Sequence, residues 1–207
     1  KTKLGKMVVS GEIDSLHAAL NCGFPLREPE IIDILVPEIK EEVLDIHMVQ
    51  RMSDSGRRIR FAVTTVVGNE DGAIGLGRAS GKLVRPTIAK SIDKAKMNLI
   101  EIRRGSGSWE STTNEPNSLP FSVMGRCSST RVTLKPAPPG VGLVTNQVGR
   151  IMLGLAGIKD VWSFSKGQTK TIYNFANAVY TALKKTSTTR VLVGQEEEQN
   201  IIQGAKK

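Results

Sequence analysis

The chain has 207 residues, enough for one large core or two modest ones, and its 29 Lys and Arg against 20 Asp and Glu leave a net charge of +9 that points to a polyanionic partner. Two cysteines, Cys22 and Cys127, are too few for a structural zinc site or a disulfide framework, so a reducing, cytoplasmic setting is the simpler one. No apolar run approaches the ~20 residues that cross a bilayer, and the start lacks a signal-peptide pattern, so no membrane partner is expected.

Charge divides the chain. Residues 1–46 carry 5 basic and 9 acidic groups, residues 47–111 carry 12 and 6, and residues 112–207 carry 12 and 5. An acidic arm thus precedes a basic body, and only the body has the electrostatics of a phosphate-binding surface. The arm, 1–42, reads as one or two short helices, with Ser10 as a cap for the segment through Leu20 and Pro29 opening EIIDIL.

The middle block, 43–104, predicts strands over Val43–Met52, Ile59–Val67 and Ala73–Leu76. The polar turn SDSGRR separates the first two. The NEDG turn separates the last two, with Asp71 and Gly72 expected to take positive φ. Val84, Ile88, Ile92, Ala95 and Leu99 then form the apolar stripe of a helix, with Pro86 in its first turn. Arg85, Lys90, Lys94 and Lys96 lie off the stripe and make its outer face basic.

Residues 105–118, GSGSWESTTNEPNS, read as a linker. The third block, 119–192, predicts a strand pair over Leu119–Met124 and Thr130–Lys135. In the second of these, Val132 and Leu134 turn inward while Arg131 and Lys135 share the other face. Asn146 caps a helix ended by Gly157, Val161–Phe164 is a short strand, and Thr171 opens a last amphipathic helix. Residues 193–207 read as a mobile tail. The overall expectation is an α+β fold of two domains.

The turn around Gly56 is a predicted binding site. Arg51, Arg57, Arg58 and Arg60 surround Ser53, Ser55 and a single acid, Asp54, and guanidinium forks there can grip phosphates. The alternative is a solvated loop. Arg103, Arg104 and Trp109 offer two phosphate ligands and a stacking surface, or in the case of Trp109 a packed plug. Arg126 joins Arg131 and Lys135 as a candidate in the third block. GLGRASGKL, residues 75–83, fits neither GxGxxG nor the P-loop. It is expected to be a glycine-rich turn with Arg78, Lys82 or backbone N–H groups meeting an anion. His17 and His47 have no partner pattern, and no nucleophile elbow, HExxH, paired CxxC or EF-hand loop occurs. No enzyme activity, cofactor or metal is expected.

VQRMSDSGRRIRF (49–61), VVGNEDGAIGLG (66–77), RRGSGSWE (103–110), LKPAPPGVGLV (134–144) and LAGIKDVWS (155–163) together resemble ribosomal protein five of the small subunit, archaeal branch, over Leu4–Leu192. The resemblance implies a double-stranded-RNA-binding-like N-terminal domain and a C-terminal domain with a left-handed βαβ crossover. It implies small-subunit rRNA, ribosomal proteins four and eight and mRNA near its entry channel as partners, with roles in assembly and decoding accuracy. It also implies that the loop Met52–Arg58 reaches rRNA near the head and neck, where changes in bacteria give spectinomycin resistance. The chain departs from relatives at Ala79 and Ser80, where a Lys often follows a third Gly. It departs again at Pro139, often Arg, and in a linker without Cys. The competing readings are a stand-alone double-stranded-RNA-binding regulator and, from fold sharing alone, a small-molecule kinase.

Overall fold

A computed structural model describes residues 2–111, 115–192, 194, 196 and 199–204. The chain forms two compact units, one of residues 1–67 and 75–99, the other of residues 68–74 and 100–207.

The acidic arm folds into three short helices, α1 (Lys3–Val9), α2 (Leu16–Asn21) and α3 (Glu30–Leu35). Thr2 caps α1 by accepting from Gly5 N, and Ser15 caps α2 by accepting from Ala18 N. Ser10 is the C-terminal cap of α1 and not the expected N-cap. Gly11 follows at φ +79°, a conformation that ends α1, so the segment to Leu20 is helical only from Leu16. Leu4, Val8, Ile13, Ala19 and Ile31 give the arm a small core of its own.

The rest of the first unit is built on a sheet of order β1-β2-β3-β4, with β1 (Lys40–Ser53), β2 (Gly56–Gly68), β3 (Ala73–Gly81) and β4 (Leu99–Glu101), and on helix α4 (Val84–Met97). Ala62–Gly68 is an unbroken buried run. On one side the Thr65 and Ser91 hydroxyls meet at 2.6 Å, tying β2 to α4. Lys96 of α4 pairs with Asp33 of α3 at 2.8 Å and with Glu41 of β1 at 3.1 Å. Burial disfavours its charge, but the hydrogen bonds to the two carboxylates outweigh this and raise its pKa above the ordinary lysine value.

The second unit contains a sheet of order β6-β7-β9-β8, from β6 (Val123–Cys127), β7 (Thr130–Pro136), β8 (Leu143–Val144) and β9 (Val161–Lys166). Helices α5 (Gln147–Leu155) and α6 (Ile172–Thr188) complete it. β8, α5 and β9 form a βαβ unit with parallel strand pairing. Asn146 caps α5 and Gly157 follows it at φ +76°, as expected. Gly125 lets α6 lie directly on the sheet, because a Cβ there would overlap the Ala178 carbonyl. Buried Asp160 accepts from Gly140 N at 3.1 Å and Gly142 N at 2.8 Å, which fixes the loop before β8.

Several elements depart from expectation in this unit: the strand expected over Leu119–Met124 lies at Val123–Cys127, and β8 was not expected. β5 (Arg103–Arg104) pairs antiparallel with β10 (Ile202–Gln203), so those residues of the supposed tail are strand. Two unpaired strand residues at Arg103–Arg104 attract a partner segment, which composition alone does not reveal. In the NEDG turn, Glu70 (φ +55°) and Gly72 (φ +94°) take the positive angles, not Asp71. The Asn69 side chain sets that geometry by accepting from both Asp71 N and Ala73 N.

Candidate nucleic-acid interface

The strands β1 and β2 run further toward the SDSGRR turn than their apolar content suggests. Only Asp54 and Ser55 connect them, and a two-residue connection of this kind makes a tight antiparallel hairpin. Gly56 takes φ +109° there, which a Cβ-bearing residue would resist. Arg51, Arg57, Arg58 and Arg60 are therefore strand residues at the end of a hairpin and not members of a loop. All four are exposed.

Local hydrogen bonds stiffen the tip. The Ser53 hydroxyl donates to Gly56 O at 3.0 Å, and the Arg58 guanidinium reaches the hydroxyls of Ser53 (3.5 Å) and Ser55 (3.4 Å). Among the described residues no acid pairs with Arg51, Arg57 or Arg60. Their charge is available to an external anion.

Lys82 joins them. A groove of about 430 Å³ is lined by Ser55, Arg57, Arg58, Ile59, Arg60 and Lys82. A smaller one of about 220 Å³ next to it runs over Lys82, Leu83, Pro86 and Lys90 at the start of α4. The first unit thus gathers three hairpin arginines, Lys82 and Lys90 along one continuous basic surface. Arg85 is exposed in the first turn of α4 and Arg78 is exposed on β3.

The glycine-rich segment is not the anion-binding turn expected. Gly75, Gly77 and Gly81 lie within strand β3. A Cβ on Gly75 would overlap the Ala95 carbonyl, and one on Gly77 would overlap the Ser91 carbonyl and Ala95 N. These glycines let helix α4 approach the sheet closely.

In the second unit the expected pair of phosphate ligands is corrected. Arg104 is only 6% exposed. Its guanidinium donates to Asp71 Oδ1 and to Gly204 O, so it holds the NEDG turn and the C-terminal segment together. Arg103 is also engaged, donating to Thr189 O at 2.7 Å and Gln203 Oε1 at 3.1 Å. Trp109, by contrast, is 91% exposed, which removes the packed plug as its role and leaves a bare indole.

Arg126, Arg131 and Lys135 are exposed on the second sheet. Arg126 lies opposite Arg131, which lies opposite Lys166. Lys166, Trp162 and Phe164 stand on this same face and were missed from the sequence. The alternation in VWSFSK was the available signal, since residues two apart along a strand share a side.

Among the described residues no group of three or more His, Cys, Asp and Glu side chains could hold a metal. No described helix is long and apolar enough to cross a membrane. His47 pairs with Asp45 at 2.9 Å and His17 lies 2.8 Å from the Asn21 amide, both local contacts on their own elements.

Comparison with known proteins matches two family models in chain order. Residues 39–103 match the ribosomal protein S5 N-terminal domain, and residues 125–196 match the ribosomal protein S5 C-terminal domain. The small ribosomal subunit protein uS5 of Thermoplasma volcanium is 52% identical over 194 residues, covering 94% of this chain and 88% of the relative. That of Methanoregula boonei is 52% identical over 189 residues (91% and 92%), and that of Methanocaldococcus jannaschii 47% over 204 residues (99% and 94%). With both domain models matched and archaeal relatives of half-identical sequence aligned along nearly its whole length, the chain belongs to the ribosomal protein S5 family.

Proposed function

We propose that this chain is a structural, non-enzymatic protein of the small ribosomal subunit that binds small-subunit rRNA through the β1–β2 hairpin and the adjoining start of α4. The observation that carries the reading is the set of Arg57, Arg58, Arg60 and Lys82 around one groove whose lining includes no acid. Such a surface recognises folded RNA by shape and phosphate position and not by base sequence. Arg51, Arg78, Arg85 and Lys90 extend it in the first unit. Arg126, Arg131, Lys135 and exposed Trp109 supply RNA contacts in the second.

Family resemblance supports the finer roles: assembly of the subunit, decoding accuracy and the mRNA entry channel, in the cytoplasm, beside ribosomal proteins four and eight. The relatives that support it are matched over about nine-tenths of their own length.

Binding of the purified chain to a structured small-subunit rRNA fragment, measured against salt, tests the hairpin. Replacing Arg57 and Arg58 with Ala should lower affinity and flatten the logarithmic salt slope by up to about 0.9 for each phosphate that is no longer neutralised. Unchanged affinity and slope remove both residues from the interface.

A further inference from the structure

The outward face of the second sheet has a chemistry the hairpin lacks. α6 lies against the side that carries Gly125, whose strand partner is buried Val132. Residues of the other parity therefore point away from the helices. Register sets them in rows: Arg126, Arg131 and Lys166; then Met124, Thr133 and Phe164; then Lys135, Trp162 and Val144. Phe164 is 57% exposed and Trp162 36%. Two aromatic rings thus lie two residues apart on one strand, about 7 Å along it, with four cations around them. None of β6, β7, β8 or β9 contains an Asp or Glu.

We propose that this face is a stacking platform for unpaired RNA. Successive bases of a single-stranded segment lie on Phe164 and Trp162, and Arg126, Arg131 and Lys166 hold its phosphates. The proposal rests on the reading of the chain as an RNA-binding protein but names a different ligand class from the hairpin's. A flat sheet cannot enter the deep, narrow groove of A-form RNA, whereas its aromatics can take bases already out of a stack. Lys135 Nζ sits 5.0 Å from the Phe164 ring centroid. This cation–π contact covers part of a ring that is still 57% exposed, and an arriving base displaces the ammonium toward a phosphate. The absence of acids across all four strands disfavours a basic partner. The exposed rings are more than a purely electrostatic grip on phosphate requires.

The test uses the full chain, a fluorescently labelled oligoadenylate of about ten nucleotides and, separately, a double-helical rRNA fragment. Phe164→Leu and Trp162→Leu should each weaken oligoadenylate binding about tenfold and leave duplex binding unchanged. Phe164→Tyr should retain wild-type affinity, which distinguishes a missing stacking surface from a failure to fold. The double Arg57→Ala, Arg58→Ala variant should show the reverse selectivity. Duplex binding with no oligoadenylate binding, or Leu variants of undiminished affinity, overturns the platform alone and leaves the face to a protein partner. Failure to bind either RNA overturns the proposed function as well.

Discussion

Arg57 and Arg104 are the same residue type in equally basic surroundings, yet they do opposite work. Arg57 stands in solvent at the edge of a groove, whereas Arg104 is buried against Asp71 and the Gly204 carbonyl. Asp71→Ala leaves that guanidinium without its carboxylate and should cost about 2 kcal/mol in urea unfolding, at the lower end for a broken buried pair because Asp71 is partly exposed. Arg104→Ala should likewise lower stability while leaving the salt slope of RNA binding untouched, and Arg57→Ala should do the converse. A flattened slope in Arg104→Ala would refute its inward role. The sequence does not separate these two residues, because RRGSGSW and SGRRIR offer the same dipeptide. Only the pairing of β5 with β10, which joins positions about 100 residues apart, decides which one turns inward.

Elements with strong periodicity were legible in advance: β2, α4, α5, β7 and α6 lie close to where alternation, the helical stripe and the caps put them. What escaped were the two-residue strands β5, β8 and β10 and the brief β4, which have too few residues to show a period and exist through tertiary pairing. The glycines of β3 were misread for a related reason. A glycine needed for close packing and one needed for a turn look alike in one dimension. Gly77→Ala distinguishes them. Its Cβ would meet backbone atoms of Ser91 and Ala95, which cannot rotate away, so it should cost roughly 1–3 kcal/mol of stability in denaturant unfolding. A neutral outcome would mean that α4 is not held against β3 as described. In α6, burial pushes the Tyr180 hydroxyl up to about 12. The unfolded chain releases that proton near 10, so stability should fall as pH rises from about 10 to about 12. A flat unfolding midpoint across that window would contradict the burial.

At the scale of the whole molecule, the +9 net charge and the ordered family blocks pointed to rRNA and to two α+β domains. The acidic arm proved to be more than a charged leader: three helices with their own small core, joined to α4 and β1 through Lys96. Of the aromatic face of the second sheet, the alternation in VWSFSK shows only one row, and the cations beside it are placed only when the strands fall into register. In the proposed function the hairpin tip touches rRNA inside an assembled small subunit. A photo-crosslinking side chain introduced at Ser55, beside the arginines without replacing any, tests it in subunits purified from cells by sedimentation. The chain should co-sediment with small subunits, and the crosslink should fall on small-subunit rRNA. A chain that sediments apart from the subunits, or a crosslink that falls only on protein, would contradict it.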